Sequence, residues 1–329
     1  MNGSHYLAEM PLSPAYERVG GLLERGGTVV LDGGVATELQ RVDSERDERR
    51  REPWGTWALL QGPADVLEVH RRYVAAGCDV LSTNTWSVLE EASPPEGKVG
   101  PRYEPLWVDA ARQGVRLART AVEQAGRSDE VAVAFCANSA LLDQRAQGRL
   151  ELLSWAWQDA PPDLVVLETL ESLPDKLALE TIEMVAETGL PVWLSFRRRR
   201  EGMSSVDGRL ISEDDAEALG AALARLEGVG VRAVLVNCVP VGGLGETLSL
   251  LRSLTGLPIG AYPNLGHHDG ADWEFDSELG PEQYAELAGG WREAGARILG
   301  GCCGVTPEHI AALRDLVGTP PRPAVELER

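Results

Sequence analysis

Short runs of apolar, largely β-branched residues recur along the chain, separated by longer stretches in which apolar residues return every three or four positions. The runs Thr28 to Asp32, Asp79 to Thr83, Val131 to Phe135, Leu164 to Glu168, Val192 to Phe196, Ala233 to Asn237, Ile259 to Tyr262 and Arg297 to Gly301 are apolar throughout rather than alternating. That pattern predicts strands buried on both faces. Helical spacing fills Ala64 to Ala76, Leu106 to Ala125, Lys176 to Glu187, Asp214 to Leu226, Glu282 to Ala294 and Pro307 to Leu316. Thr306 offers a capping hydroxyl before Pro307, and Gly77, Gly126 and Gly189 stand where helices end. Eight such βα units predict a single (β/α)8 TIM barrel over residues 28–317, with an N-terminal extension and helix at 1–27 and a Pro-rich tail at 318–329. A doubly wound open sheet is the alternative arrangement of the same units.

Composition narrows the function. The 329 residues are 43% hydrophobic and carry 31 Lys and Arg against 51 Asp and Glu, a formal charge of −20. Phosphate binding needs a cationic surface, so no nucleic-acid partner is expected, and the apolar content is too high for an acidic disordered chain. No apolar run approaches the roughly 18 residues of a membrane span. Met1 to Pro14 lacks a basic stretch followed by an apolar one, so a cytoplasmic location is expected. Five cysteines do not make a disulfide framework in a chain of this length, which leaves reduced thiols for chemistry. The run from Arg41 to Glu52 mixes both signs of charge and reads as a solvated segment.

Barrel chemistry sits at the C-terminal ends of the strands. Here those ends read Asp32-Gly33-Gly34, Thr83-Asn84-Thr85, Glu168-Thr169, Asn237-Cys238 and Gly300-Gly301-Cys302-Cys303-Gly304. Cys238, Cys302 and Cys303 therefore come to one mouth, from strands separated by a single neighbour. Three thiolates suit a zinc ion whose fourth tetrahedral position stays open for substrate; buried thiols and a redox pair are the other readings of the same residues. Glycines around Cys302 and Cys303 let two adjacent side chains face one point, which a regular strand forbids. Cys78 and Cys136 lie in or beside apolar runs and read as core. His267 and His268 invite a metal reading, but the three thiols already supply a ligand set.

Asp32-Gly33-Gly34, Asn237-Cys238, Tyr262-Pro263-Asn264 and Gly300-Gly301-Cys302-Cys303-Gly304-Val305-Thr306-Pro307 resemble the zinc-dependent homocysteine S-methyltransferase family, which includes betaine and S-methylmethionine users. Val69-His70-Arg71-Arg72-Tyr73 and Thr83-Asn84-Thr85 fit the same pattern. The resemblance implies a (β/α)8 barrel with Zn2+ held by Cys238, Cys302 and Cys303, and Asn237 supporting them from behind. It also implies that Asp32 and Glu168 hold the amino group of homocysteine, with Gly33 and Thr83 in the same pocket. Read on their own, either acid could instead cap a helix. The expected reaction moves a methyl group from a small onium-type donor to the zinc-bound thiolate of homocysteine, giving methionine. The alternatives are another small thiol as acceptor, or a non-catalytic zinc- or thiol-binding relative.

Two departures bear on specificity. The family carries a Gly-Ser-x-Gly-Pro-x-Gly stretch after the third strand, where this chain has Phe135-Cys136-Ala137-Asn138-Ser139-Ala140-Leu141-Leu142. Trp86 and Ser87 stand where relatives have other residues. Trp54, Trp57, Trp86 and Trp273 fall in segments expected at the open rim, where aromatic faces attract a cationic donor, and Trp86 is the first choice among them. Arg197 to Arg200 form a cationic block that reads as solvated, with a donor carboxylate or phosphate as the alternative partner.

Overall fold

The computed structural model describes residues 11–42, 56–91, 104–142, 146–170, 176–197, 213–269, 272–274 and 279–318. Trp54, Arg198 to Arg200, most of the charged run 41–52 and the segment 319–329 lie outside the described residues.

Eight parallel strands form the barrel: β1 (Val29–Val30), β2 (Val80–Ser82), β3 (Ala132–Ala137), β4 (Leu164–Leu170), β5 (Val192–Arg197), β6 (Val231–Pro240), β7 (Ile259–Asn264) and, after a hairpin of β8 (His267–Asp269) and β9 (Asp272–Glu274), β10 (Ala296–Leu299). The ladder runs β1-β10-β7-β6-β5-β4-β3-β2. Its two ends meet through a parallel bridge between Leu31 and Val80. The Asp32 N–H donates to Val80 O at 3.1 Å and the Asp79 N–H to Val30 O at 2.7 Å, so the sheet closes on itself. Helices stand between successive strands, among them Pro63–Ala76, Glu104–Gln124, Ala146–Asp159, Glu213–Glu227 and Pro281–Glu293, and Pro307–Val317 follows β10. No helix among the described residues is long and apolar enough to cross a membrane.

Strand periodicity sorts the core into two layers. Along β3, Ala132, Ala134 and Cys136 join Val29, Leu31, Leu164, Val166, Trp193, Leu235, Tyr262 and Ile298 inside the barrel. Val133, Phe135 and Ala137, on the opposite face, pack against the helices. The small residues Ala132, Ala134 and Ala233 share this inner cluster with Trp193, which is fully buried. Burying an aromatic side chain of this size is worth roughly 2–3 kcal/mol.

The N-terminal end of the barrel is sealed. Helix Pro14–Glu24 is capped by Ser13, whose hydroxyl accepts from the Tyr16 N–H at 3.2 Å. It sends Ala15, Tyr16 and Val19 into the inner cluster, where Trp193 Nε1 donates to the Tyr16 hydroxyl at 3.3 Å. Beside it the buried Asp79 pairs with Arg18 at 2.9 Å, contacts Arg314, and accepts from the Val30 N–H at 2.9 Å. With this end closed, polar side chains on the inner face collect at the other.

Candidate active site

The three thiols predicted to meet do meet. The Sγ atoms of Cys238, Cys302 and Cys303 all lie within 4.8 Å of one another. Cys303 is buried, and Cys238 and Cys302 are half-buried. Cys238 reaches the cluster through a left-handed backbone, φ 52°, unusual for a residue with a Cβ and a mark of local strain. The Cys302–Cys303 turn is stitched to both neighbouring strand ends. The Gly301 N–H donates to Asp32 O at 2.9 Å, the Cys302 N–H to Pro263 O at 2.8 Å, and the Leu265 N–H to Cys303 O at 2.8 Å. Gly33 and Gly34 permit the close approach from β1. A Cβ on Gly33 would lie 2.4 Å from Val305 O, and one on Gly34 would lie 2.7 Å from Cys302 O.

The cluster favours one negative charge even without an ion. Hydrogen bonds from Cys302 and Cys303 hold the Cys238 thiol far below its ordinary range, with smaller help from Asn264 and from the Arg197 charge. Cys302 and Cys303 are correspondingly pushed up. Asn264 Nδ2 points at Cys238 Sγ from 3.7 Å. Three soft donors in this arrangement, one of them already inclined to be a thiolate, could hold a thiophilic metal ion.

Two carboxylates share the mouth. Asp32, 1% exposed, does not cap a helix; it accepts from the Ser82 N–H and the Ser82 hydroxyl, each at 2.8 Å. Glu168 accepts from the Tyr262 hydroxyl at 3.0 Å. Burial raises Asp32 to about 7 against the pull of the Ser82 hydrogen bonds. Burial likewise raises Glu168 to about 7; the Tyr262 bond opposes it, and the charge of Asp32 adds to it. Among the described residues neither acid has an ion-pair partner. Two desolvated carboxylates, the charge of Asp32 raising Glu168 further, form a site for a cation.

Asn237 ties the acid to the thiol cluster. Its Oδ1 accepts from the Ser195 hydroxyl at 2.8 Å and the Thr169 N–H at 3.1 Å, while its Nδ2 donates to Thr169 Oγ1 at 3.1 Å. Thr169 is the other described non-glycine residue with a left-handed backbone, φ 62°. One buried amide therefore holds the strained residue after Glu168 and immediately precedes the strained Cys238.

Thr83 sits at the same end of the barrel, but its hydroxyl is 2.6 Å from Thr85 Oγ1 and accepts from the Cys136 N–H at 3.2 Å. It fastens β2 to β3; Ser82, one position earlier, is the residue that touches Asp32. Trp86 lies half-buried on the turn after β2. Trp57 and Trp273 belong to helix Thr56–Gln61 and strand β9, but their side chains lie outside the described set. Cys78 and Cys136 are buried and stand outside the metal-competent group. Sequence reasoning missed Ser82, Ser195 and the role of Tyr262. Their positions on the inward parity of their strands are the signal that could have found them.

A family model described as homocysteine S-methyltransferase matches residues 29–317. Homocysteine S-methyltransferase 4 of Zea mays is 26% identical over 336 aligned positions, covering 92% of this chain and 93% of that protein. Selenocysteine Se-methyltransferase of Brassica oleracea var. italica is 25% identical, covering 89% of each. Among solved structures, the metallated form of the homocysteine methyltransferase MmuM from Escherichia coli superposes with a TM-score of 0.66 at 26% identity, covering 90% of this chain and 98% of that one.

Proposed function

The chain belongs to the homocysteine S-methyltransferase family, and from that premise we propose that it methylates the thiol of homocysteine at a zinc ion held by Cys238, Cys302 and Cys303, using a small onium compound as donor. The observation that carries this reading is the joint presence, at one barrel mouth, of three clustered thiols and two carboxylates without a cation partner among the described residues. A zinc ion held by these three cysteines would supply the Lewis acidity that keeps a substrate thiol deprotonated at neutral pH.

The chain's own residues supply the remainder. Asp32 and Glu168, ionised when a cation arrives, receive the ammonium group; Ser82 and Tyr262 orient the two carboxylates. Asn237 fixes the backbone that carries both Glu168 and Cys238. Gly33 keeps β1 close enough to the cysteine turn for Asp32 and the thiols to face one pocket. The barrel wall excludes water from one side of the acceptor, so that positioning provides much of the rate.

An onium donor departs as a neutral molecule when its methyl is taken by an anionic sulfur, and it carries the charge that an acidic mouth attracts. Trp86, beyond the end of β2, offers a face to that cation, a contact worth about 0.5–2 kcal/mol. The test is methyl transfer by zinc-loaded protein from S-methylmethionine, S-adenosylmethionine, betaine and methyltetrahydrofolate to homocysteine. Product methionine with at least one onium donor and none with the folate is expected. Turnover with the folate alone, or a Trp86→Ala enzyme with unaltered donor KM and kcat, would remove the donor assignment.

A further inference from the structure

Asn138 stands one position beyond β3 at the barrel mouth and is 2% exposed. It continues the inward parity of Ala134 and Cys136. The register pairs Ala137 with Leu167, which places Asn138 level with Glu168 on the next strand. The Asn138 Oδ1 accepts from the Ala140 N–H at 2.9 Å, and its backbone carbonyl accepts from the Leu141 N–H at 3.2 Å, starting the short 3-10 turn Ser139–Leu142. Because only the oxygen can serve that N–H, the orientation of the amide is fixed. Its other arm, Nδ2, is buried and has no hydrogen-bond partner among the described residues.

A buried donor left open in this way calls for an acceptor. The neighbouring acids answer the ammonium of an amino-acid thiol but repel its carboxylate. Among the described residues the other unpartnered amide atom at this end, Asn264 Oδ1, is itself an acceptor and cannot serve a carboxylate. Resting on the reading of the preceding subsection, we propose that Asn138 Nδ2 donates a hydrogen bond to the carboxylate of the acceptor, selecting amino-acid thiols over simple aminothiols.

The experiment measures the KM for homocysteine and the inhibition constant of 3-amino-1-propanethiol, which is homocysteine without its carboxylate, on zinc-loaded wild type, Asn138→Ala and Asn138→Asp. The Asp variant keeps an oxygen for the Ala140 N–H, so it preserves the turn if the Ala variant folds poorly. The Ala change is expected to raise the homocysteine KM about ten- to a hundredfold while the inhibition constant of the aminothiol moves by less than about twofold. The Asp change is expected to weaken homocysteine further and to tighten the aminothiol, because a carboxylate repels one and attracts the other. Parallel weakening of both compounds in both variants, or an unchanged homocysteine KM, overturns the proposal. A wild-type enzyme that methylates no thiol would instead remove the parent reading, and this one with it.

Discussion

Replacing Gly34 with alanine should loosen the metal site from the opposite side of the barrel seam. The added Cβ would sit 2.5 Å from Thr37 Oγ1, 2.7 Å from Cys302 O and 3.0 Å from Cys303 Cα. Thr37 has little freedom to yield, since its hydroxyl donates to Gly34 O at 3.0 Å and accepts from the Gly304 N–H at 2.9 Å. Moving the Cys302 carbonyl from 2.7 Å to an ordinary contact of 3.4 Å displaces the ligand turn by about 0.7 Å. Metal–ligand distances tolerate only about 0.2 Å, so the sulfurs of Cys302 and Cys303 cannot both stay in place. We expect overpacking to cost about 1–3 kcal/mol of stability and zinc affinity to fall about tenfold or more, equivalent to at least about 1.4 kcal/mol. Competition for zinc against a chromophoric chelator, with urea unfolding in parallel, measures both. Gly148→Ala is the control, because nothing lies within 4 Å of a Cβ there and helix Ala146–Asp159 gains from alanine. Wild-type zinc affinity in Gly34→Ala would refute the argument that this glycine sets the distance between β1 and the ligands.

The two acids give further outcomes. Asp32→Asn and Glu168→Gln should each keep the metal yet weaken homocysteine binding by roughly 1.5–3 kcal/mol, read by substrate titration beside zinc content; unchanged affinity in both would point to an acceptor without an amine. In the metal-free protein, Asp32 keeps its proton to about 7 when folded but only to 3.8 when unfolded. The folded state thus binds more protons across that interval, and stability should fall as pH rises through it, by at most about 4 kcal/mol. Urea midpoints at pH 5 and pH 8 should show a smaller difference in Asp32→Asn than in wild type; an identical difference would mean that the carboxylate is not desolvated.

The barrel was legible because continuous apolar runs and helical spacing alternate without interruption, and each run maps to a strand. Boundaries shifted where tertiary contacts took over. The first ladder covers only Val29–Val30, with Leu31 as a bridge. The last spans Ala296–Leu299, because Gly300 and Gly301 already belong to the cysteine turn. The β8–β9 hairpin had no apolar run to announce it, since His267-His268-Asp269 is polar throughout. Within the site, residues whose chemistry is distinctive, the three thiols and two acids, could be picked from strand ends. Of the residues that orient them, Asn237 is legible at its strand end, whereas Ser82, Ser195 and the role of Tyr262 are not. Ser82, one position before Thr83, makes the contact to Asp32, whereas the Thr83 hydroxyl bonds to Thr85 and the β3 backbone; a single step along a strand reverses the face on which a residue lies. Asn138 and Tyr262 matter through what stands beside them on neighbouring strands, which depends on register rather than on spacing along the chain.

Zinc K-edge X-ray absorption, recorded on loaded protein before and after homocysteine is added, tests the central claim most directly. Three protein sulfurs at about 2.3 Å should become four when the thiol arrives, and the Cys302→Ser and Cys303→Ser proteins should hold too little metal to give the spectrum. A first shell that does not change on adding homocysteine, or full zinc content in both serine variants, would contradict the account.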